Sequence, residues 1–104
     1  MAFDGTEGIS IDHTTAAAWT KTYRQTHQDE QLGRFFGRDI LLSILAQKDC
    51  QGIRFYYGLN ELEPQLLAVG ADSEENDQLD EDCIVADDSA ISPPRSGCLN
   101  ILNS

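Results

Sequence analysis

The sequence predicts an α+β domain in which two N-terminal helices pack on a small antiparallel sheet. Three observations carry that expectation. Ala16, Trp19 and Tyr23 recur at helical spacing within an Ala-rich run. Residues 40–46 form a second apolar stretch of helical length, interrupted only by Ser43. Ile53, Phe55 and Tyr57 then alternate with Arg54, Tyr56 and Gly58, a period of two in β-prone residues.

The first helix is expected over about residues 11–25. Ser10 or Asp12 supplies a side-chain oxygen for the orphan amides of its first turn. Ala16, Trp19 and Tyr23 would form its apolar stripe, with Lys21 and Arg24 solvated near the C-terminal end, where the helix dipole favours cations. Residues 26–33 are polar and read as a connection. The second helix is expected from Arg34 or Gly37 to Gln47, with Phe36, Ile40, Leu41, Leu42, Ile44, Leu45 and Ala46 as its apolar positions. That set is wider than one stripe. Such a helix is buried on several sides, or gives one face to its own domain and another to a partner.

The two strands are expected at 53–58 and 65–71, joined by a loop of five or six residues through Pro64. Leu66, Leu67, Ala68 and Val69 are apolar on both faces, so the second strand belongs inside the sheet or under cover on both sides. Residues 83–86 read as a short third strand. Pro93 and Pro94 stop any ladder after Ser92. Leu99, Ile101 and Leu102 suggest a tail that docks back. All 104 residues are expected in a single domain, with 1–9 and 89–104 loosely ordered.

The formal charge of -11 is uneven. Residues 1–54 nearly balance, whereas residues 55–104 hold Arg95 against eleven acids. Phosphate-backbone binding needs clustered Lys and Arg, so nucleic acid is excluded as a partner, and anionic membrane surfaces for the same reason. Residues 1–7 lack the basic head and apolar run of a secretory signal, and no stretch approaches the roughly 20 residues of a membrane helix. Cys50, Cys83 and Cys98 are odd in number and widely spaced, which reads as reduced thiols in a cytoplasmic protein, and a mature secreted domain without its signal peptide would look much the same.

No catalytic, cofactor or metal signature emerges. Residues 72–88 hold nine of the eighteen acids. Laid on a calcium loop, Asp72, Glu74 and Asn76 take positions 1, 3 and 5. The pattern then breaks at Asp77, where Gly is needed, and at Cys83, where a bidentate Glu belongs. A looser metal-responsive role for 72–82 stands as an alternative. His13, His27 and the three cysteines show no zinc spacing. An enzyme would have to assemble its site from distant residues, such as His13 or His27 beside Cys50 or a carboxylate.

The surface singled out for binding is the strand face carrying Arg54 and Tyr56, a planar hydrogen-bonding fork beside an aromatic platform. The competing reading is an Arg54 held structurally by Glu61, Glu63 or an acid of the 72–88 segment. The leading expectation is therefore a small acidic binding or regulatory module for a protein partner. The excess apolar surface of the second helix and the open edges of a small sheet make a homodimer a further expectation.

Residues 44–58, with Leu67-Ala68-Val69-Gly70-Ala71-Asp72, the helix carrying Trp19 to Arg24 and the Pro-rich, Cys-containing end, resemble a family of short, uncharacterised bacterial proteins. Members of that family end in Cys-Pro-Pro with another Cys soon after. Here Ser92 precedes Pro93-Pro94 and Cys98 alone remains, a departure from the pattern on which a terminal disulfide or thiol-metal role would rest. It supports the element order and implies no chemistry.

Overall fold

The computed structural model describes residues 2–103. Two helices and small antiparallel sheets give an α+β fold, in the order α1 (His13–Thr26), β1 (Gly33–Phe35), α2 (Arg38–Leu45), β2 (Gly52–Asn60), β3 (Glu63–Ala71), β4 (Val85–Ala86) and β5 (Ala90–Ser92). These fall into two compact units. One comprises the chain up to Glu7 with Phe36–Ser89; the other comprises Gly8–Phe35 with the chain from Ala90 onward.

The first unit is a three-stranded antiparallel sheet ordered β2-β3-β4, with α2 on one face. Ile53 pairs with Gly70, Phe55 with Ala68 and Tyr57 with Leu66, so this set shares the α2 face. Ile44 reaches down from α2 onto Ala68 and Ala86, with Phe36, Ile40, Cys50, Ile53 and Ile84 packed around them. Among the described residues Ile44 is the largest side chain that is fully buried. The apolar run of β3 is explained by its central place: Ala68, Val69, Gly70 and Ala71 are all buried. The short strand expected at 83–86 is β4, which pairs Val85 with Val69 and Ala86 with Ala68.

Gly70 lets three polar side chains close over β3. A Cβ there would lie 2.6 Å from Gln78 Oε1 and 2.9 Å from both Cys50 Sγ and Gln47 Nε2. Gln47 Nε2 donates to Ile44 O (3.0 Å) and Gln78 Oε1 (3.2 Å), while its Oε1 accepts from Ile84 N (2.7 Å). Gln78 Nε2 donates to Lys48 O at 2.8 Å, so α2, β3 and the approach to β4 are tied at one point.

The β2–β3 loop is shorter than the sequence suggested. Pairing continues through Leu59–Pro64 and Asn60–Glu63, leaving a two-residue turn at Glu61 and Leu62, with Glu61 at φ 58°. Pro64 is tolerated because β4 reaches only Ala68 and Val69, so the ladder on that side needs no amide from it.

The second unit holds α1 and the β1–β5 pair. Asp12 caps α1 by accepting from Thr15 N at 2.7 Å. The Ala16–Trp19–Tyr23 stripe does not become core: α1 contains no buried residue, and Trp19 remains 64% exposed. Tyr23 instead stacks on His27 at 3.9 Å. Residues 33–35, expected as the end of the connection and, from Arg34, as one start of the second helix, form β1 because Ala90–Ser92 pairs with them in antiparallel register, extended by Leu32 N donating to Ser92 O at 2.8 Å. The tail therefore docks through 90–92 and through Arg24 Nη1, which donates to Leu102 O at 2.7 Å, while Leu99 stays 81% exposed.

Candidate functional site

The two residues singled out from the sequence, Arg54 and Tyr56, share the β2 face opposite α2, across from Val69 and Leu67. Both converge on one carboxylate. Arg54 Nη1 donates to Asp77 Oδ1 at 2.5 Å, and Tyr56 Oη donates to Asp77 Oδ2 at 2.6 Å. Arg54 Nη2 also donates to Glu75 O at 3.3 Å, and the guanidinium lies over the Phe3 ring at 5.4 Å from its centre. The ion pair is partly shielded, with the Arg54 and Asp77 side chains 32% and 19% exposed. Arg54 thus has a partner from the 72–88 segment, and the fork is engaged within the protein.

Asp77 reaches this position through the turn that follows β3. Asp72 Oδ1 accepts from Glu74 N and Asn76 N, each at 2.9 Å, and Glu75 takes φ 71°. The chain doubles back so that Asp77 bridges Ala71. Asp49, at φ 60° after α2, anchors the turn from outside by accepting from Ser73 Oγ at 2.7 Å and Ser73 N at 3.2 Å. The hydroxyl and amide of Ser73 hold the Asp49 carboxyl below the usual carboxylate range. Phe3 N donates to Ser73 O at 3.1 Å, which ties the N-terminal segment to the same turn.

Within the acidic stretch, residues 72–77 form a hydrogen-bonded turn, with Asp72 engaged by backbone amides and Asp77 by β2. Among the described residues no group of three His, Cys, Asp or Glu is placed to hold a metal ion. His27 Nδ1 lies 2.8 Å from Thr26 Oγ1 and 3.0 Å from Tyr23 O. Cys50 is half-buried beside Gly70, and its thiol donates to Gly52 O at 3.3 Å.

A cleft of about 430 Å³ opens where residues 3–7 pass the start of β2, lined by Phe3, Glu7, Leu45, Gln51, Ile53 and Arg54 among others. Its polar groups are engaged locally. Glu7 accepts from Asp4 N (3.1 Å) and Gly5 N (3.0 Å), and Gln51 Nε2 donates to Asp49 Oδ1 at 3.1 Å.

The second feature of β2 is its edge. Nine residues long, the strand has β3 on one side only. Among the described residues no backbone hydrogen bond reaches 52–60 apart from the β2–β3 ladder. Alternate N–H and C=O groups consequently point outward without a backbone partner. Along this edge Phe55 is 47% exposed, Tyr56 44%, Tyr57 93% and Leu59 74%. The sequence signalled a strand here but not its place at the margin of the sheet, which depends on β3 receiving β4.

Compared with protein-family models, curated proteins and solved structures, the chain matches none of them. No helix among the described residues is long and apolar enough to cross a membrane.

Proposed function

We propose that this chain is a small protein-binding module whose working surface is the open edge of β2. The observation that carries the reading is that, beyond its start beside residues 3–7, β2 is an edge strand without protection. Proteins ordinarily blunt exposed edges with Lys, Pro, a bulge or an inward charge. Residues 52–60 contain no Lys or Pro, and their ladder to β3 runs without a bulge. The sole charge, on Arg54, is turned onto Asp77. An extended partner segment can add to such an edge, taking affinity from backbone hydrogen bonds and specificity from alternate side chains. Arg54 and Tyr56 serve this surface as a brace. By clamping Asp77 they fix β2 in an extended form before a partner arrives, which lowers the ordering cost of binding. The free thiols of Cys50, Cys83 and Cys98 support a cytoplasmic setting.

The test is a photo-crosslinking amino acid in place of Tyr57, in the full chain expressed in its native cells. At 93% exposure that side chain makes little contribution to the fold. A covalent adduct to a polypeptide, reduced when Leu59→Asp is added on the same edge, is the expected outcome. Adducts that form equally from a label at Thr22, on exposed α1 surface, would overturn the reading.

A further inference from the structure

Resting on that reading, we infer that the segment added to β2 is β2 of a second copy, paired antiparallel about a two-fold axis at Tyr56. Self-pairing with both sheets facing the same way requires opposed residues to lie on the same face, so their numbers must sum to an even value. Centred on Tyr56, the pairing sets Phe55 against Tyr57, Ile53 against Leu59, Arg54 against Gly58 and Tyr56 against itself. Every large apolar or aromatic side chain then meets another, the kind of cross-strand pair that stabilises a sheet. Each Arg54 faces a residue without a side chain, and no two like charges are opposed.

Charge favours the same arrangement. The chain carries -11, so a second copy approaches best along a strand that itself holds no acid, as residues 52–60 do. Asp80, Glu81, Asp82, Asp87 and Asp88 flank β4, which is the opposite margin of the sheet from β2. Pairing through β2 holds the two acidic margins apart, with four strands between them. The exposed parts of Phe55, Tyr56, Tyr57 and Leu59 amount to ~500 Å² per copy, so even complete cover, ~1,000 Å² for the pair, only reaches the lower bound for a specific interface, which fits a dimer that dissociates on dilution. The result is one six-stranded sheet with α2 of both copies on the same face.

Light scattering after size exclusion, combined with sedimentation equilibrium on the full chain, tests this directly. The wild type is expected at twice its 11.5 kDa mass, with dissociation on dilution. Tyr57→Asp should weaken association at least about tenfold while leaving the circular dichroism spectrum unchanged. The register is read by charge at position 58, where an added Cβ meets nothing closer than Leu67 Cδ1 at 3.9 Å. With Asp77→Asn in the background, which leaves the guanidinium without its carboxylate, Gly58→Glu places a charge opposite the partner copy's Arg54 and should tighten the dimer several-fold, whereas Gly58→Lys should weaken it. Net charge alone would give the reverse order, because Lys relieves the repulsion of two acidic copies and Glu adds to it. A chain that stays at 11.5 kDa at high concentration, or a dimer indifferent to Tyr57→Asp, overturns the inference. In that event a Tyr57 crosslink to a different polypeptide would leave the binding-module reading intact, and only the second copy would be withdrawn.

Discussion

Replacing Gly70 with alanine adds a single methyl group, and the structure makes its consequence large. Gly70 lies in extended backbone of β3, where alanine would ordinarily be favoured by about 0.5–1 kcal/mol on chain entropy. The new carbon would fall 2.6 Å from Gln78 Oε1 and 2.9 Å from Gln47 Nε2 and Cys50 Sγ. None of the three is a free end. Gln47 is held by Ile44, Gln78 and Ile84, Gln78 by Lys48, and Cys50 by Gly52. Relief of the clash breaks two or more half-buried hydrogen bonds at about 1 kcal/mol each, and overpacking adds about 1 kcal/mol or more. After the entropy gain, a net loss of about 2–3 kcal/mol is expected, or roughly 10–20 °C in melting temperature for a domain of this size. Gly58→Ala is the matched control, because its Cβ meets only Leu67 Cδ1 at 3.9 Å. Thermal and urea unfolding followed by circular dichroism should separate the two variants clearly. Adding Gln78→Ala to Gly70→Ala removes the nearest obstacle, so the pair should be less destabilised than the two single effects together. Equal melting temperatures for Gly70→Ala and Gly58→Ala would refute the account of the clasp.

Ile44→Ala empties the centre of the first unit and should cost about 2–5 kcal/mol, measured by the urea midpoint at constant slope. Asp77→Ala frees Arg54 and Tyr56 together. Its expected signature is faster amide exchange at Ala71 and Asp77, with a smaller fall in melting temperature than for Gly70→Ala, since the pair is part-exposed. Asp49 titrates below an ordinary aspartate because Ser73 stabilises its charged form. Its contribution to holding the 72–77 turn is present above the usual carboxylate pKa and is lost as pH falls through the lower folded value. A carbon-detected titration of Asp49 should show that depressed midpoint, and Ser73→Ala should move it upward.

What the sequence disclosed follows from how local each signal is. The alternation of Ile53, Phe55 and Tyr57 marks both the strand and the face that meets α2, because sheet periodicity is a property of consecutive residues. The two-sided apolar run of β3 indicates a central strand for a similar reason. β1 and β5 are three residues each, too short for a period, and Phe36 before Ile40 has the spacing of a helix; their existence depends on partners some sixty residues apart. The tight β2–β3 turn lacks the Asn-Gly signature, as Glu61 adopts positive φ with the strands holding it there. An acidic partner for Arg54 was legible, but nine acids compete in 72–88 and only the turn built on Asp72 selects Asp77. Trp19 shows the opposite failure. Helical spacing of apolar residues gives a face, and α1 leaves that face exposed.

Residue-resolved hydrogen exchange on β2 at several protein concentrations asks whether the open margin of the strand pairs with a second copy. The outward amides between Ile53 and Leu59 should exchange rapidly in dilute solution and become protected as concentration rises, while the amides bonded to β3 stay slow throughout. Contradiction would come from outward amides that remain equally fast at every concentration, or that are already protected in a chain shown to be monomeric.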